Sequence, residues 1–351
     1  MKAAQMTAYR EPLVIGTHPD PTPGPTDVLI RVEANGICRT DWHFWNGDWA
    51  WVGFQAPLPV IPGHEFAGTV VEVGSAVTRI KIGDRVTGPF HEGCGACGYC
   101  ISGASQLCPT PNFPGFAKSG GYGELLCIGN ADFNAVPLPD SVDSVSAASL
   151  GCRYMSAWHA TTHHGQVRAG QQVVVLGAGG MGLAAVQIAT QAGAQVIAVD
   201  RRDEALDKAS KEGAVAVVNA TTTENVGAAV QELTGGGAHL AIDCIGGQET
   251  TLNGLLALRR AGRFVAAGLT TQDVSGMVSI PIDMMLALEI SLVGSFGNPR
   301  NGYADLLSLV GRGELNPGSL VTQQIGVDQV NDTLQALDRF DTLGCHVITS
   351  F

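Results

Sequence analysis

Basic residues are scarce in this chain of 351 residues, which has 20 Lys and Arg against 32 Asp and Glu and a net charge of −12. Nucleic acids and anionic lipid surfaces are bound through basic patches, so the acidic balance argues against both kinds of partner. No apolar core follows Lys2, so the first residues do not have the pattern of a signal peptide. We expect a cytoplasmic protein, because thiols stay reduced there and can bind metal.

Long hydrophobic runs are also lacking, with one exception. Residues 171 to 199 carry no charge, and that length alone could suggest a membrane span. Glycines divide the stretch into a strand, a turn, a helix and a second strand, so we predict no membrane segment. The sequence has no internal repeat and no low-complexity tract, and its apolar fraction of 45% is sufficient for packed cores. Its length suggests two domains of ordinary size.

The order of short apolar runs predicts two kinds of sheet. The first part of the chain has strand-like runs separated by Gly, Pro, Asn and Asp, at 28–32, 67–73 and 85–88. From residue 171, strands alternate with helical stretches, and we predict these strands at 173–176, 196–199, 214–218, 240–245, 263–267 and 290–293. That alternation predicts a doubly wound parallel sheet. The tail has helical periodicity at 304–310 and 330–340 and ends in a strand-like segment at 346–349.

Four of the nine cysteines lie close together, in the pattern C-x2-C-x2-C-x7-C formed by Cys94, Cys97, Cys100 and Cys108. This spacing suits one tetrahedral ion, and zinc with four thiolates forms a closed structural site. Two disulfides are an alternative that a reducing compartment disfavours. An iron–sulfur cluster is a second alternative.

A glycine-rich turn follows the predicted strand at 173–176. Gly177, Gly179 and Gly182 form G-x-G-x-x-G around Gly180 and Met181, and an Ala-rich helical stretch follows. In this motif the glycines make the turn, let the backbone approach a pyrophosphate and let the helix pack on the strand. The context therefore predicts a dinucleotide site.

Asp200 ends the next predicted strand, near the expected offset of about 20 residues from the glycine motif. A carboxylate there can accept hydrogen bonds from the ribose hydroxyls and repel a 2′-phosphate, which favours NAD over NADP. Arg201 and Arg202 follow directly, and arginines at this place could instead accommodate the extra phosphate.

Three further candidate ligands, Cys38, His64 and Cys152, are distant from one another in sequence. Taken singly, each is more often a core residue than a ligand. Their surroundings are nevertheless specific: Cys38 begins Cys-Arg-Thr-Asp-Trp-His, His64 lies in Gly-His-Glu-Phe-Ala-Gly, and Cys152 precedes the nucleotide-binding half.

On these motifs and their order, the whole chain resembles the zinc-dependent alcohol dehydrogenases of the medium-chain dehydrogenase/reductase superfamily. The segment from Cys38 to Trp49 is most similar to the yeast and bacterial enzymes. The resemblance implies an α/β protein with a GroES-like, β-rich catalytic domain and a Rossmann domain with a doubly wound parallel sheet. The implied boundaries are 1–152 with 298–351 for the catalytic domain, 91–110 for its structural zinc lobe, and 153–297 for the Rossmann domain.

The resemblance also implies roles for individual residues. It makes Cys38, His64 and Cys152 the ligands of a catalytic zinc, with a fourth position held by water, by substrate or at times by Glu65. Such a zinc would be a Lewis acid toward the substrate oxygen. The remaining implied roles are substrate contact for Thr40, orientation of His64 for Asp41, pyrophosphate contact for Arg39 and proton exit for His43. We expect His43 to have an unperturbed pKa, which suits a base at neutral pH. Helix capping is an alternative role for Asp41.

The substrate pocket is expected to be apolar. The resemblance places Trp49 and Phe90 on its wall and brings Leu269 to both nicotinamide and substrate. We expect Trp42, Trp45 and Trp51 to be packing or subunit-contact residues. An aromatic wall implies a hydrophobic alcohol, aldehyde or ketone rather than a sugar.

Together these features predict an NAD-preferring zinc alcohol dehydrogenase with two zinc ions per chain. The resemblance implies a homo-oligomer, with a tetramer favoured over a dimer. Alternatives are a formaldehyde, polyol or amino-alcohol dehydrogenase of the same superfamily, a zinc-free reductase, or a catalytically silent binding relative. His159, His163 and His164 have no expected connection to the site and are interpreted as core or surface histidines.

Overall fold

The computed structural model describes residues 1–50, 53–55, 57–270, 276–297 and 299–351, so Trp51 lies outside the described residues. The chain divides into two compact units. One contains Met1–Met155 and Gly297–Phe351, and the other contains Ser156–Phe296. Among the described helices, none combines the length and the apolar character that crossing a membrane requires.

The first 149 residues are rich in short strands. In chain order the elements are β1 (Lys2–Gln5), β2 (Val14–Thr17), β3 (Val28–Ile37), α1 (Arg39–Asn46), β4 (Glu65–Val73), β5 (Arg85–Thr87), α2 (Gly98–Ile101), β6 (Leu125–Ile128), α3 (Ala131–Asn134), β7 (Val136–Pro137) and α4 (Ser144–Ser149).

The next part begins with two π-helices, Leu150–Tyr154 and His159–His164, on either side of α5 (Met155–Trp158). Strands and helices then alternate: β8 (Gln172–Leu176), α6 (Gly180–Gln191), β9 (Gln195–Asp200), α7 (Asp203–Lys211), β10 (Ala216–Asn219), α8 (Val226–Thr234), β11 (Ala238–Asp243), α9 (Gln248–Leu256), β12 (Leu258–Ala266), α10 (Ile282–Leu288) and β13 (Ser291–Gly294). The last elements are α11 (Gly302–Gly311), β14 (Val321–Gly326), α12 (Val330–Asp338) and β15 (Cys345–Ser350).

In the unit Ser156–Phe296, six strands form one sheet in the order β10-β9-β8-β11-β12-β13, and every neighbouring pair is parallel. The order is that of a doubly wound dinucleotide-binding sheet. Central strands such as β8 are almost entirely buried, as is usual when helices cover both faces of a parallel sheet. The charge-free stretch at 171–199 therefore forms β8, a turn, α6 and β9, as predicted, and not a membrane span.

In the other unit, the main sheet has the order β14-β15-β3-β4-β5-β7, with β6 also paired to β3. Its pairs are antiparallel except β14 with β15. Strand β3 pairs with β15, β4 and β6, and its residues are mostly buried, whereas β14 at the edge is partly exposed. Strands β1 and β2 form a separate antiparallel pair. The predicted fold class, a GroES-like sheet together with a Rossmann-type parallel sheet, is confirmed.

Candidate active site and metal centres

The sulfur atoms of the four-cysteine lobe have the spacing of a tetrahedral metal site. Cys94 Sγ lies 4.0 Å from Cys100 Sγ, and Cys97 Sγ lies 3.9 Å from Cys108 Sγ. Zinc–sulfur bonds of about 2.3 Å in tetrahedral geometry would place the sulfurs ~3.8 Å apart, whereas a disulfide requires about 2.05 Å. All four cysteines are free thiols. The lobe therefore fits one ion with four thiolate ligands and does not contain the alternative pair of disulfides.

Backbone donors already surround these sulfurs. The amide of Cys97 donates to Cys94 Sγ at 3.3 Å, and the amide of Cys94 donates to Cys108 Sγ at 3.4 Å. Backbone donation from Ala96, and then from Cys97, lowers the pKa of the Cys94 thiol to about 6. Such N–H groups stabilise thiolates, which are the form that binds metal.

A second donor cluster joins residues from distant parts of the sequence. One ligand atom from each of Cys38, His64, Glu65 and Cys152 lies within 4.8 Å of the others, and all four residues are buried. Cys38 is the N-cap of α1, His64 directly precedes β4, and Cys152 lies in the π-helix Leu150–Tyr154. The structure thus brings together the three residues predicted as ligands of a catalytic zinc.

Asp41 orients the imidazole of this cluster. Its Oδ1 lies 2.9 Å from His64 Nδ1, and its Oδ2 accepts a hydrogen bond from the backbone amide of Cys38 at 2.8 Å. Asp41 therefore caps α1 and also turns Nε2 of His64 toward the thiols. Both expected roles for this residue are compatible, because each uses a different carboxylate oxygen.

Nε2 of His64 is the atom that most directly suggests a metal. It is buried and has no hydrogen-bond partner in the part of the chain that the structure describes, although buried polar atoms are nearly always paired. Burial alone would lower the pKa of His64, but Asp41 and the Cys38 sulfur outweigh it and raise the pKa to about 10. Surroundings that hold a proton so tightly would also favour a cation, so the donor set fits zinc.

Glu65 is engaged by an arginine that the sequence did not suggest. Its Oε1 accepts hydrogen bonds from the backbone amides of Cys152 and Arg153, at 3.1 and 3.0 Å, and from Arg153 Nε at 3.0 Å. The ion pair is buried, with side-chain exposures of 0% for Glu65 and 8% for Arg153. Glu65 therefore fixes the turn that carries Cys152.

Thr40 and His43 lie three positions apart on α1, beyond Cys38. The Thr40 hydroxyl lies 3.4 Å from Cys38 Sγ and 3.9 Å from Cys152 Sγ, so it borders the donor cluster. His43 Nδ1 lies 2.6 Å from Asp48 Oδ2, and both side chains are buried. Asp48 is a second residue that the sequence reasoning missed.

The expectation that His43 has an unperturbed pKa is wrong. Desolvation lowers the pKa of its imidazole, and this effect exceeds the opposing influence of Asp48. The cause is the burial of His43, which is 6% exposed and whose ring packs against that of Trp42 with centroids 5.0 Å apart. His43 is consequently neutral at pH 7 and can accept a proton.

Aromatic rings form one side of the donor cluster. Phe90 packs with Cys38 and Cys152 in a single buried group, and its ring centroid lies 5.7 Å from that of His64. Phe116, which was not predicted, lies 4.7 Å from the His64 ring and 5.5 Å from the Trp49 ring. The ring of Phe116 therefore lies between Trp49 and His64 of the donor cluster.

Trp42 and Trp45 are packing residues, which is one of the two roles expected for them. Trp42 is buried, with its indole N–H donating to Asp338 at 3.0 Å, and Trp45 packs against the same core. Arg39 lies between aromatic rings, with its guanidinium carbon 3.9 Å from the Trp42 ring and 4.0 Å from the Phe340 ring. Its contact with pyrophosphate stays a prediction.

The glycine-rich turn between β8 and α6 leaves room for a phosphate. Gly177 has φ of 90°, a left-handed conformation that favours glycine. A Cβ atom on Gly182 would lie 1.7 Å from the Gly177 carbonyl oxygen, whereas one on Gly179 would meet no described atom within 4 Å. Gly179 caps α6, which begins at Gly180 and continues through Met181. The open space at this helix N-terminus fits a pyrophosphate.

Asp200 lies at the end of β9, beside this turn. Its Oδ2 accepts from the Ala178 amide at 2.8 Å, and its Oδ1 accepts from the amides of Arg201 and Arg202 at 2.8 and 3.0 Å. The guanidinium of Arg201 pairs with Glu249, which reduces the positive charge available to a 2′-phosphate. Leu269, in the loop after β12, is 42% exposed.

Two family models match the chain. Residues 24–140 match the alcohol dehydrogenase GroES-like domain, and residues 180–312 match the zinc-binding dehydrogenase domain. An alcohol dehydrogenase of Geobacillus stearothermophilus is 33% identical over 340 residues, which cover 97% of this chain and 96% of that protein.

Two further relatives show the breadth of the similarity. An L-threonine 3-dehydrogenase of Rhizobium johnstonii is 32% identical over 323 residues, with 91% of this chain and 90% of that protein covered. The crystal structure of an alcohol dehydrogenase from the archaeon Aeropyrum pernix has a TM-score of 0.90 at 30% identity, covering 99% of this chain and 100% of that chain.

Proposed function

Because the chain belongs to the zinc-binding alcohol dehydrogenases of the medium-chain dehydrogenase/reductase superfamily, we propose that it interconverts primary or secondary alcohols with aldehydes or ketones and uses NAD(H). The observation that carries this proposal is the convergence of Cys38, His64 and Cys152 around a buried imidazole nitrogen that has no hydrogen-bond partner among the described residues. Asp41 orients that imidazole, and the thiols and imidazole are the ligand types of a catalytic zinc.

Two zinc ions per chain are part of the proposal. Cys94, Cys97, Cys100 and Cys108 would hold one as a structural ion, and Cys38, His64 and Cys152 would hold the other. When bound, the second zinc would supply a Lewis acid for the substrate oxygen, and the nicotinamide would accept or return the hydride. Glu65 is the candidate for a temporary fourth ligand, although its carboxylate is engaged by Arg153.

Proton movement would be the task of side chains on and just after α1. The Thr40 hydroxyl borders the two thiols, so it can hydrogen-bond to the substrate oxygen. His43 is neutral and buried and would take up the proton released during alcohol oxidation. Asp48 holds Nδ1 of His43, which fixes the tautomer and leaves Nε2 to accept the proton.

The carboxylate of Asp200 supports NAD as the preferred cofactor. It lies at the end of β9 next to the glycine turn, where it would accept hydrogen bonds from ribose hydroxyls and repel a 2′-phosphate. Pairing of Arg201 with Glu249 supports the same preference. Substitution Asp200→Gly is expected to shift the ratio of kcat/KM values toward NADP, and an unchanged ratio would contradict this assignment.

The substrate class is argued from the wall of the donor cluster. Phe90 and Phe116 approach the His64 ring, with Trp49 behind them, so an apolar alcohol is the expected substrate. An amino alcohol is a second candidate, because an L-threonine 3-dehydrogenase is among the relatives at 32% identity. We also propose a cytoplasmic homo-oligomer, with a tetramer favoured over a dimer, which light scattering of the purified protein would test.

The deciding experiment is a substrate panel with zinc-loaded protein. Aliphatic and aromatic alcohols, a polyol, formaldehyde and L-threonine would be tested with NAD(H) and NADP(H), following the absorbance of the reduced cofactor. Cys38→Ser should abolish turnover, because a hydroxyl is a poor zinc ligand. Cys127→Ser, a cysteine outside both donor clusters, is the matched control. Absence of turnover with every substrate, in protein shown to contain zinc, would refute the proposal.

A further inference from the structure

Three imidazoles converge in the unit Ser156–Phe296, in residues that the proposed reaction does not use. The ring centroids of His159, His163 and His164 lie 4.6 to 4.9 Å from one another. One nitrogen atom from each ring lies within 4.8 Å of the other two. His159 is 4% exposed, His164 is half-buried and His163 is exposed, so the cluster extends from the interior to the surface.

The backbone explains why three rings meet. In an α-helix, a residue five positions along the chain is rotated by roughly 140° and points away. The segment His159–His164 is a π-helix instead, which has more residues in each turn. Positions four and five after His159 therefore both return to its side. Such π-helical turns are rare and occur frequently at functional sites.

The protonation state of the cluster suits a metal ligand set. Burial first, and then the charges of the two neighbouring histidines, lower the pKa of His159 to about 4. Burial, His163 and Arg263 likewise lower the pKa of His164. Imidazole binds metal in its neutral form, so His159 and His164 need not lose protons at neutral pH.

We propose that His159, His163 and His164 form a third metal site that binds a divalent transition-metal ion of the Zn²⁺, Ni²⁺ and Cu²⁺ class through one nitrogen of each ring. Bonds of about 2.0–2.1 Å would place two ligand nitrogens at most ~4.2 Å apart. The nitrogens, which lie within 4.8 Å of one another, would have to move closer on metal binding. The stacked rings of His159 and His163, whose planes differ by 12°, would also have to rotate so that one nitrogen of each points at the ion. Water would complete the coordination.

The charges around the proposed site would make its metal ion easy to exchange. Neutral imidazoles do not cancel the double charge of the ion, in contrast to the thiolates of the two proposed zinc sites. Arg263, whose Nη1 donates to the His164 carbonyl at 2.7 Å, adds a positive charge beside the cluster. The ion should consequently bind more weakly than the two zinc ions and should be removed by dialysis against a mild chelator that leaves them in place.

Nickel is the appropriate probe, because imidazole suits Ni²⁺ and elemental analysis distinguishes it from resident zinc. Zinc-loaded protein without an affinity tag would be dialysed to equilibrium against NiCl₂, and both metals would be measured in the same sample. One additional nickel per chain, with zinc unchanged, is expected in the parent. The variants His163→Asn and His163→Asn/His164→Asn should bind it at least tenfold more weakly, while His18→Asn, a histidine outside the cluster, should match the parent.

Thermal unfolding supplies a second measurement. Nickel should raise the Tm of the parent and of His18→Asn, because an ion held by residues of one helical turn stabilises that turn. It should not raise the Tm of His163→Asn. Equal nickel uptake by the parent and by the cluster variants would overturn the proposal, as would nickel appearing only in exchange for zinc. Either outcome can be told apart from failure of the dehydrogenase proposal, because neither measurement depends on turnover.

Discussion

Removal of the Arg153 guanidinium is expected to cost more stability than any surface substitution in this protein. Arg153→Met would leave the Glu65 carboxylate fully buried, with only the backbone amides of Cys152 and Arg153 as donors among its present partners. Breaking a buried ion pair on one side typically costs about 3–5 kcal/mol, because the remaining charge is uncompensated. Burial already raises the pKa of Glu65 even with Arg153 present, which indicates how poorly the site solvates a lone carboxylate.

The assay is differential scanning calorimetry at a fixed zinc concentration, since bound ligand itself shifts Tm. For a unit of this size, 1 kcal/mol corresponds to about 2–4 °C, so Arg153→Met should lower the first transition by about 6–20 °C. Arg339→Met is the matched control. Arg339 pairs with Asp341 at 60% exposure of both side chains, and such a pair contributes at most about 1 kcal/mol.

A double-mutant cycle separates the ion pair from simple loss of packing. Glu65→Gln alone should also destabilise, because it leaves the guanidinium buried without its carboxylate. The double variant Glu65→Gln/Arg153→Met removes both charges, and its destabilisation should be at least ~2 kcal/mol smaller than the sum of the single effects. Additive single effects, or an Arg153→Met shift no larger than that of Arg339→Met, would refute the reasoning.

Three other changes test separate parts of the molecule. Asp48→Asn should lower the pKa of His43 further, because Asp48 is the main influence that raises it. The acid limb of the pH profile of kcat/KM for alcohol oxidation should then move to lower pH, with a rate loss of up to about 100-fold because His43 acts as the base. An unchanged profile would contradict the proposed role of His43. Cys97→Ser should remove one zinc per chain, as measured by elemental analysis, and lower Tm; full zinc content would contradict the four-thiolate site. Gly182→Ala should prevent correct folding of the glycine turn, because its Cβ would lie 1.7 Å from a backbone oxygen. Gly179→Ala has open space around its Cβ and should weaken NAD⁺ binding at unchanged Tm. Equal effects of the two substitutions on Tm would contradict the assignment of this turn as the pyrophosphate site.

The fold and the donor clusters were predictable because their signals are local. The alternation of apolar runs with glycine-rich turns specifies the parallel sheet, and the structure has strands at all six predicted places, from β8 to β13. The cysteine lobe is compact in sequence, so spacing alone indicates a tetrahedral site. In contrast, Cys38, His64 and Cys152 could be associated only through the resemblance to a family, because sequence spacing contains no information on distances between remote segments.

Arg153 and Phe116 could not be predicted for the same reason. Arg153 adjoins a predicted ligand, but nothing in its neighbourhood indicates that it turns inward to Glu65, which is distant in sequence. Phe116 lies in an irregular segment after the cysteine lobe, without periodicity that would orient its ring toward His64. The prediction for His43 was wrong because pKa depends on burial, and burial of one face of α1 follows from packing that the sequence of a short helix does not specify.

Asp48 differs from these cases, since a local signal existed and could have been used. Helix α1 ends at Asn46, and the C-cap residue Gly47 has φ of 79° and donates its amide to the carbonyls of His43 and Phe44. The next amide, that of Asp48, donates to the His43 carbonyl at 3.0 Å, as in the common glycine-terminated helix end. This turn reverses the chain. The Asp48 amide therefore binds the His43 carbonyl, and the Asp48 carboxylate contacts the His43 ring. A glycine directly before an acidic residue, with a helical histidine four positions before that glycine, is therefore the local signal that the sequence offered for the His43–Asp48 pair.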